Sequence, residues 1–240
     1  MRGRRSFLLF FLAAYFIAMA MAIAHAQDAA ADPSKPDPWK KEIDALVAND
    51  AATPPPQHGV VFIGSSSIRM WTTLAQDFLG APVINRGFGG SRIADSTRNV
   101  DRLVDPYHPD LVVMYAGDND IAEGHTADQV IADFKAFVQR VHRDLPKTQV
   151  IFISIKPSQA RVALWPAMRA ANDGIAHWAK TQNKVIFVDV ATKMLDADGK
   201  PRPELLLADG LHMQRAGYAI WIEALTPFLI RYGHFGHKLH

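Results

Sequence analysis

Three consecutive serines, Ser65-Ser66-Ser67, follow the apolar run Val60-Val61-Phe62-Ile63 and one glycine, Gly64. A serine hydroxyl at the end of a strand is a nucleophile if a base reaches it and a helix cap if none does. The stretch alone is compatible with both. A base with its own orienting group stands near the other end of the chain, where Asp209 and His212 are three residues apart. At that spacing a carboxylate in a turn reaches Nδ1 of the following imidazole, fixes its tautomer and leaves Nε2 free to accept a proton. The same pair also reads as an aspartate capping the last helix beside an ordinary histidine. Two more polar clusters lie between them. Arg86-Gly87-Phe88-Gly89-Gly90-Ser91 implies backbone brought close to something, positive φ, or a plain turn, and Gly117-Asp118-Asn119-Asp120 gathers side chains that donate and accept. The Gly-x-Gly-x-x-Gly dinucleotide fingerprint fails because Arg92 stands where its third glycine belongs.

Each cluster follows a segment that reads as a strand or precedes one that reads as a helix. Val60–Ile63, Val83–Asn85, Leu111–Tyr115, Val150–Ile155 and Val185–Val190 are short apolar runs rich in β-branched residues. Helical spacing marks Trp39 to Val47, the segment from Ser67 to Phe78, Ile93 to Val104, Thr126 to Leu145 with Thr126 as N-cap, Trp165 to Lys180 with Pro166 in its first turn, and Gln214 to Tyr232 with a bend at Pro227. Strands alternating with helices predict an α/β fold. Five such strands suit a three-layer α/β/α sandwich around a five-stranded parallel sheet, flavodoxin-like, with the polar clusters at the carboxyl ends where open sheets bind ligands. Strand order does not follow from the sequence.

Taken in order, the four clusters resemble the blocks of the SGNH hydrolases, also called the GDSL esterase and lipase family. Gly64-Ser65-Ser66 lies on the family's Gly-Asp-Ser block, which implies Ser66 as nucleophile and puts Ser65 where the family has aspartate. Asn85 to Gly90 lies on the second block, Gly117 to Asp120 on the third, and Asp209 to His212 on the last. The resemblance implies a triad of Ser66, His212 and Asp209. It also implies an oxyanion hole of the Ser66 and Gly90 amides with the Asn119 side chain, and an ester hydrolase that needs no metal or cofactor. An α/β-hydrolase elbow, Gly-x-Ser-x-Gly, is a poorer match because Ile68 occupies its last position. The expected substrate is a short acyl ester, such as an acetylated carbohydrate or a small molecule. Lysophospholipase-like, thioesterase-like and broad arylesterase activities, a glycan O-acyltransferase and a non-catalytic glycan-binding module are the alternatives. Lys156 and Arg161, in the loop after the fourth strand, and Phe88 are candidates for substrate contact. Ion pairing and core packing are the competing readings. The same two readings apply to Arg92, Trp71 and Trp165.

The 240 residues include no cysteine, which excludes disulfides and thiolate metal sites. Residues 1–26 have the form of a secretory signal peptide: Arg2, Arg4 and Arg5, an apolar run from Phe7 to Ile23, then Ala24-His25-Ala26. Retention of that run as an anchor is the competing reading. Cleavage after Ala26 predicts an exported protein, periplasmic or secreted, without a stable membrane anchor. It removes three of the 26 basic residues and no acid, leaving 23 against 24 acidic ones. A nucleic-acid or anionic-membrane partner needs a cationic footprint and is therefore disfavoured. The remaining boundaries are a Pro/Ala-rich spacer with a short helix at 27–56, the hydrolase domain at 57–233 and a tail at 234–240. The tail's His234, His237 and His240 lack a carboxylate or thiolate to complete a metal set.

Overall fold

A computed structural model describes residues 36–233. The signal peptide and the tail histidines lie outside the described residues. Five strands form one parallel sheet: β1 (Val60–Gly64), β2 (Val83–Gly87), β3 (Leu111–Tyr115), β4 (Gln149–Ile153) and β5 (Val185–Val188), in the order β2-β1-β3-β4-β5. Both faces are covered, which is why the central strands β1 and β3 are apolar throughout rather than alternating. In β1, Val61 and Ile63 enter one core, and Val60 and Phe62 enter the other. The first core holds the apolar faces of helices α1 (Lys40–Ala52), α7 (Ala127–Asp144) and α8 (Trp165–Ala179). The second is closed by α9 (Arg215–Tyr232), whose Trp221, Leu225 and Leu229 are fully buried. Pro227 stands inside that helix.

Most elements match the sequence reading to within a residue or two, and the differences have local causes. The segment after Ser65 is two short helices, α2 (Ser66–Arg69) and α3 (Leu74–Asp77). Asn85 Nδ2 donates to the Ile68 carbonyl at 2.7 Å and ends the first of them. The expected helix from Ile93 to Val104 likewise splits into α4 (Ile93–Arg98) and α5 (Val100–Leu103). Here the Asn99 side chain takes the Asp95 carbonyl and the Asp37 carboxylate for itself. Thr126 caps α7 as expected, accepting from the Gln129 amide. The helix placed in the spacer is longer than its apolar spacing suggested, because Asp50 near its end receives Arg86 Nη2 at 2.5 Å and the Tyr107 hydroxyl. Ile43 of this helix is fully buried, so residues 37–52 belong to the folded unit.

The sheet order puts a topological switch between β1 and β3: the chain leaves β1 toward β2 and then returns to the opposite side. Ligands bind at the carboxyl ends of strands on either side of such a switch. Gly64 ends β1 and Tyr115 ends β3 there, in register. Gly64 has φ +136°, and a Cβ on it would lie 1.8 Å from the Tyr115 carbonyl oxygen. Only glycine lets the two strand ends approach this closely, which leaves the Ser65 amide to donate to that oxygen at 2.9 Å.

Candidate active site

The tight turn after Gly64 gives the three serines different fates. Ser65 is completely buried, and its hydroxyl has no partner among the described residues. Ser67 is buried as well, with its carbonyl accepting from the Tyr218 hydroxyl at 2.9 Å. Ser66 is half-buried, and its Oγ lies 3.1 Å from His212 Nε2. None of the hydroxyls caps α2.

The histidine is held by a turn that the sequence builds locally. Asp209 Oδ1 accepts from the amides of Leu211 and His212, both at 2.9 Å, and its Oδ2 lies 2.6 Å from His212 Nδ1. The imidazole hydrogen bond, then those two amides, hold the Asp209 carboxyl well below the usual carboxylate range. An ionised Asp209 accepts the Nδ1 proton and leaves the Nε2 lone pair facing Ser66. The turn is anchored by the Gly210 carbonyl, which accepts from the Ala160 amide in the loop after β4 at 3.1 Å.

The serine and glycine loops and α6 also carry hydrogen-bond donors that are not fully used. The Ser66 amide opens its helix and so has no intrahelical carbonyl to bind. The Gly90 amide makes no hydrogen bond among the described residues, and Gly90 adopts φ +76°, a conformation that favours glycine. The loop carrying it is tied to the nucleophile strand by the Phe88 amide, which donates to the Gly64 carbonyl at 2.9 Å. Asn119, in α6 (Asp118–Ala122), donates one Nδ2 hydrogen to the Ser91 carbonyl at 3.0 Å, and its Oδ1 accepts from Arg161 Nη2 at 2.9 Å. Both ends of the amide are therefore assigned, and the second Nδ2 hydrogen is uncommitted. A serine against an oriented imidazole, accompanied by amide hydrogens without partners, supplies the kinds of group that acyl transfer uses.

The candidates for substrate contact fare differently. Phe88 is 0% exposed and packs on Trp39 with ring centroids 5.9 Å apart, so it is a core residue. Lys156 is 1% exposed, with Nζ 3.7 Å from Asp118 Oδ2 and 5.9 Å from the centre of the Tyr115 ring. Burial depresses its ammonium pKa, and Asp118 acts in the opposite direction. A side chain enclosed like this cannot touch a substrate. Arg161 is partly exposed, but its guanidinium is directed at Asn119 and, at 3.4 Å, at Asp118 Oδ2. Trp71 is core, its indole donating to Asp77 at 2.7 Å, and Arg92 is engaged by Asp95, Glu123 and His125. The sequence reading missed Asp118, which sits beneath the site and collects Tyr115, Lys156 and Arg161. Its place inside Gly117-Asp118-Asn119-Asp120 was the available signal. Among the described residues, no cluster of His, Asp and Glu is arranged to hold a metal ion.

A parallel sheet of this order, covered by helices on both faces and with a serine against an imidazole at its switch point, is an α/β/α sandwich with the beginnings of a hydrolase site. Comparison with known proteins narrows it. Residues 48–220 match the GDSL-like Lipase/Acylhydrolase family, and the chain belongs to that family. It is an ester hydrolase. The bovine platelet-activating factor acetylhydrolase IB subunit alpha1 is 29% identical over 184 residues, spanning 72% of this chain and 75% of the relative. The crystal structure of a GDSL-like lipase from Bacteroides thetaiotaomicron superposes with a TM-score of 0.68 at 25% identity, covering 79% of this chain and 97% of the other. A carbohydrate esterase family 3 structure from Talaromyces cellulolyticus shares the fold, with a TM-score of 0.57 at 21% identity over 72% of this chain and 96% of the other. Among the described residues no helix is long and apolar enough to cross a membrane.

Proposed function

We propose that this protein is an exported serine esterase that removes short acyl groups, acetyl foremost, from an alcohol such as a carbohydrate hydroxyl. The observation that carries the mechanism is the chain of contacts Ser66 Oγ to His212 Nε2 at 3.1 Å and His212 Nδ1 to Asp209 at 2.6 Å. His212 takes the Ser66 proton as Oγ attacks the ester carbonyl. The oxyanion that forms is held by the Ser66 and Gly90 amides and by the free Nδ2 hydrogen of Asn119. Collapse breaks the bond to the alcohol, which leaves with the proton from His212. Water then repeats the sequence on the acyl-enzyme and releases the acid. Asp209 keeps the imidazole in the required tautomer throughout.

Two observations favour a short acyl group. Phe88 and Trp71, in or beside the glycine and serine loops, are packed inside, which leaves these two rings unavailable as walls for a long acyl chain. The relative named above is an acetylhydrolase by name, which supports a small acyl group. Hydrolysis of p-nitrophenyl acetate, butyrate and octanoate by the mature protein, beside Ser66→Ala, tests the reading. Turnover that falls with chain length and disappears in the variant is expected, together with covalent labelling of Ser66 by a fluorophosphonate. Octanoate turned over faster than acetate, or a Ser66→Ala protein with normal activity, would refute it.

A further inference from the structure

The oxyanion loop is gripped by the start of a helix that begins ahead of the residues matched to the family. Helix α1 begins after Trp39, and the family match begins at residue 48. Trp39 is fixed by Asp37, whose Oδ1 accepts the Trp39 amide at 2.8 Å while its Oδ2 accepts Asn99 Nδ2 at 2.9 Å. Its indole lies across the loop: a Cβ on Gly90 would meet Trp39 Cη2 at 3.2 Å, and the indole packs on Phe88. One helical turn later Glu42 Oε1 accepts the Gly89 amide at 3.3 Å and lies 3.9 Å from Arg69 Nε. Arg69 ends the helix that Ser66 begins, and its guanidinium lies against Gly89, with Cζ 2.7 Å from where a Cβ would be. Gly89 and Gly90 are therefore bounded by Arg69 from the nucleophile helix and by Trp39 and Glu42 from α1.

This enclosure matters because glycines resist ordering. Glycine has more backbone freedom to lose than any other residue, and a donor aimed at an oxyanion works only if it need not reorganise during the reaction. The sheet holds the loop as far as Phe88, through the Gly64 carbonyl, and Ser91 Oγ donates back to the Phe88 carbonyl at 2.9 Å. Between those ties, Trp39, Glu42 and Arg69 press on the two glycines. We infer that Trp39 and Glu42 are positioning residues for the reaction: Glu42, through the Gly89 amide, and Trp39, against Gly90, hold the two ends of the peptide that joins these glycines, so that the Gly90 amide points at the developing oxyanion. The inference rests on the proposed assignment of Gly90 as an oxyanion donor.

The consequence is a loss in kcat that leaves KM in place, because an oxyanion donor acts on the transition state more than on the bound ester. The test compares Glu42→Ala, Glu42→Gln and Trp39→Ala with Asp44→Asn, a change on the same helix at a carboxylate that pairs with Lys40 and Arg102 instead of the loop. With p-nitrophenyl acetate, Glu42→Ala is expected to lower kcat about tenfold with KM within roughly twofold, the scale of one hydrogen bond to a charged acceptor. Glu42→Gln keeps an acceptor oxygen and is expected to restore kcat, while Asp44→Asn retains wild-type kcat. The rate of fluorophosphonate labelling, which draws on the same donors, should fall in parallel with kcat. Trp39→Ala is expected to behave like Glu42→Ala, and should it fail to fold, the glutamate pair decides alone. Wild-type kcat in Glu42→Ala, an equal loss in Glu42→Gln, or a change confined to KM overturns the inference. Those results are distinct from failure of the underlying mechanism, which would show as activity and labelling surviving Ser66→Ala.

Discussion

Replacing Arg161 with alanine isolates what a guanidinium does for the Asn119 amide. In the protein Arg161 Nη2 donates to Asn119 Oδ1 at 2.9 Å, and Asn119 Nδ2 donates to the Ser91 carbonyl at 3.0 Å. Rotating the amide by half a turn would set Oδ1 against a carbonyl and the NH2 group against a cation, so both neighbours select the observed orientation. Removing Arg161 deletes a hydrogen bond to a charged donor, a contact of about 1.5–3 kcal/mol. The Ser91 carbonyl remains and still opposes the flip, so the lower end of that range governs turnover. About 1.4 kcal/mol, or a tenfold fall in kcat, is expected. Loss of the donor itself in Asn119→Ala should cost about 10²–10³. The assay is steady-state hydrolysis of p-nitrophenyl acetate by the wild type, both single variants and the double variant. If Arg161 acts through Asn119, the double variant is no slower than Asn119→Ala, and the coupling equals the whole effect of Arg161→Ala. Fully additive losses, or a rise in KM with kcat intact, would mean that Arg161 touches the substrate, and the positioning argument would be wrong.

Asp209→Asn should lower kcat by up to about 10⁴, because an amide can donate to Nδ1 and leave the proton on Nε2, which then has no lone pair for the Ser66 hydroxyl. The Asp209 side chain is 47% exposed, so water relieves part of the defect and a smaller loss than for a buried aspartate is expected in kcat. A loss carried wholly by KM would contradict the tautomer role. Stability should depend on two buried carboxyls behind the site. Burial pushes Asp120 up to about 7 and Asp133 up to about 6. Raised values in the folded state mean that the unfolded chain ionises first, so stability is fully present below about pH 4 and is lost as pH rises through 6 to 7. For Asp120 the shift sets an upper limit of about 4 kcal/mol. Melting temperature should fall by several degrees between pH 5 and pH 8, and Asp120→Asn should flatten that fall. A melting temperature that rises over this interval in the wild type, or an unchanged slope in the variant, would show that these carboxyls ionise freely.

How much of this was legible in the sequence follows from how far apart in the chain each interaction reaches. The Asp209 turn spans three residues, and its carboxylate is satisfied by the next amides and the imidazole, so residue types and spacing sufficed. The strands were legible because burial on both faces demands unbroken apolar runs, and Thr126 because a cap and its helix are neighbours. Asn85 and Asn99 broke two expected helices through side-chain bonds that periodicity does not carry.

The sequence by itself determined an α/β protein with polar residues at its strand ends and an aspartate-histidine turn. Only the tertiary structure decided that β1 and β3 are neighbours, which puts Ser66 at the switch point and brings His212 to it across 146 residues. It also decided which charges and rings face the solvent. Phe88 and Lys156 sit in polar loops where exposure is the default expectation, yet the packing of Trp39 and the pull of Asp118 draw both inside. Arg161 meets Asn119 across 42 residues and Glu42 meets Gly89 across 47. Contacts at such separations are fixed by strand order and layer packing, which involve the whole chain at once, and a local pattern of residues holds no trace of them.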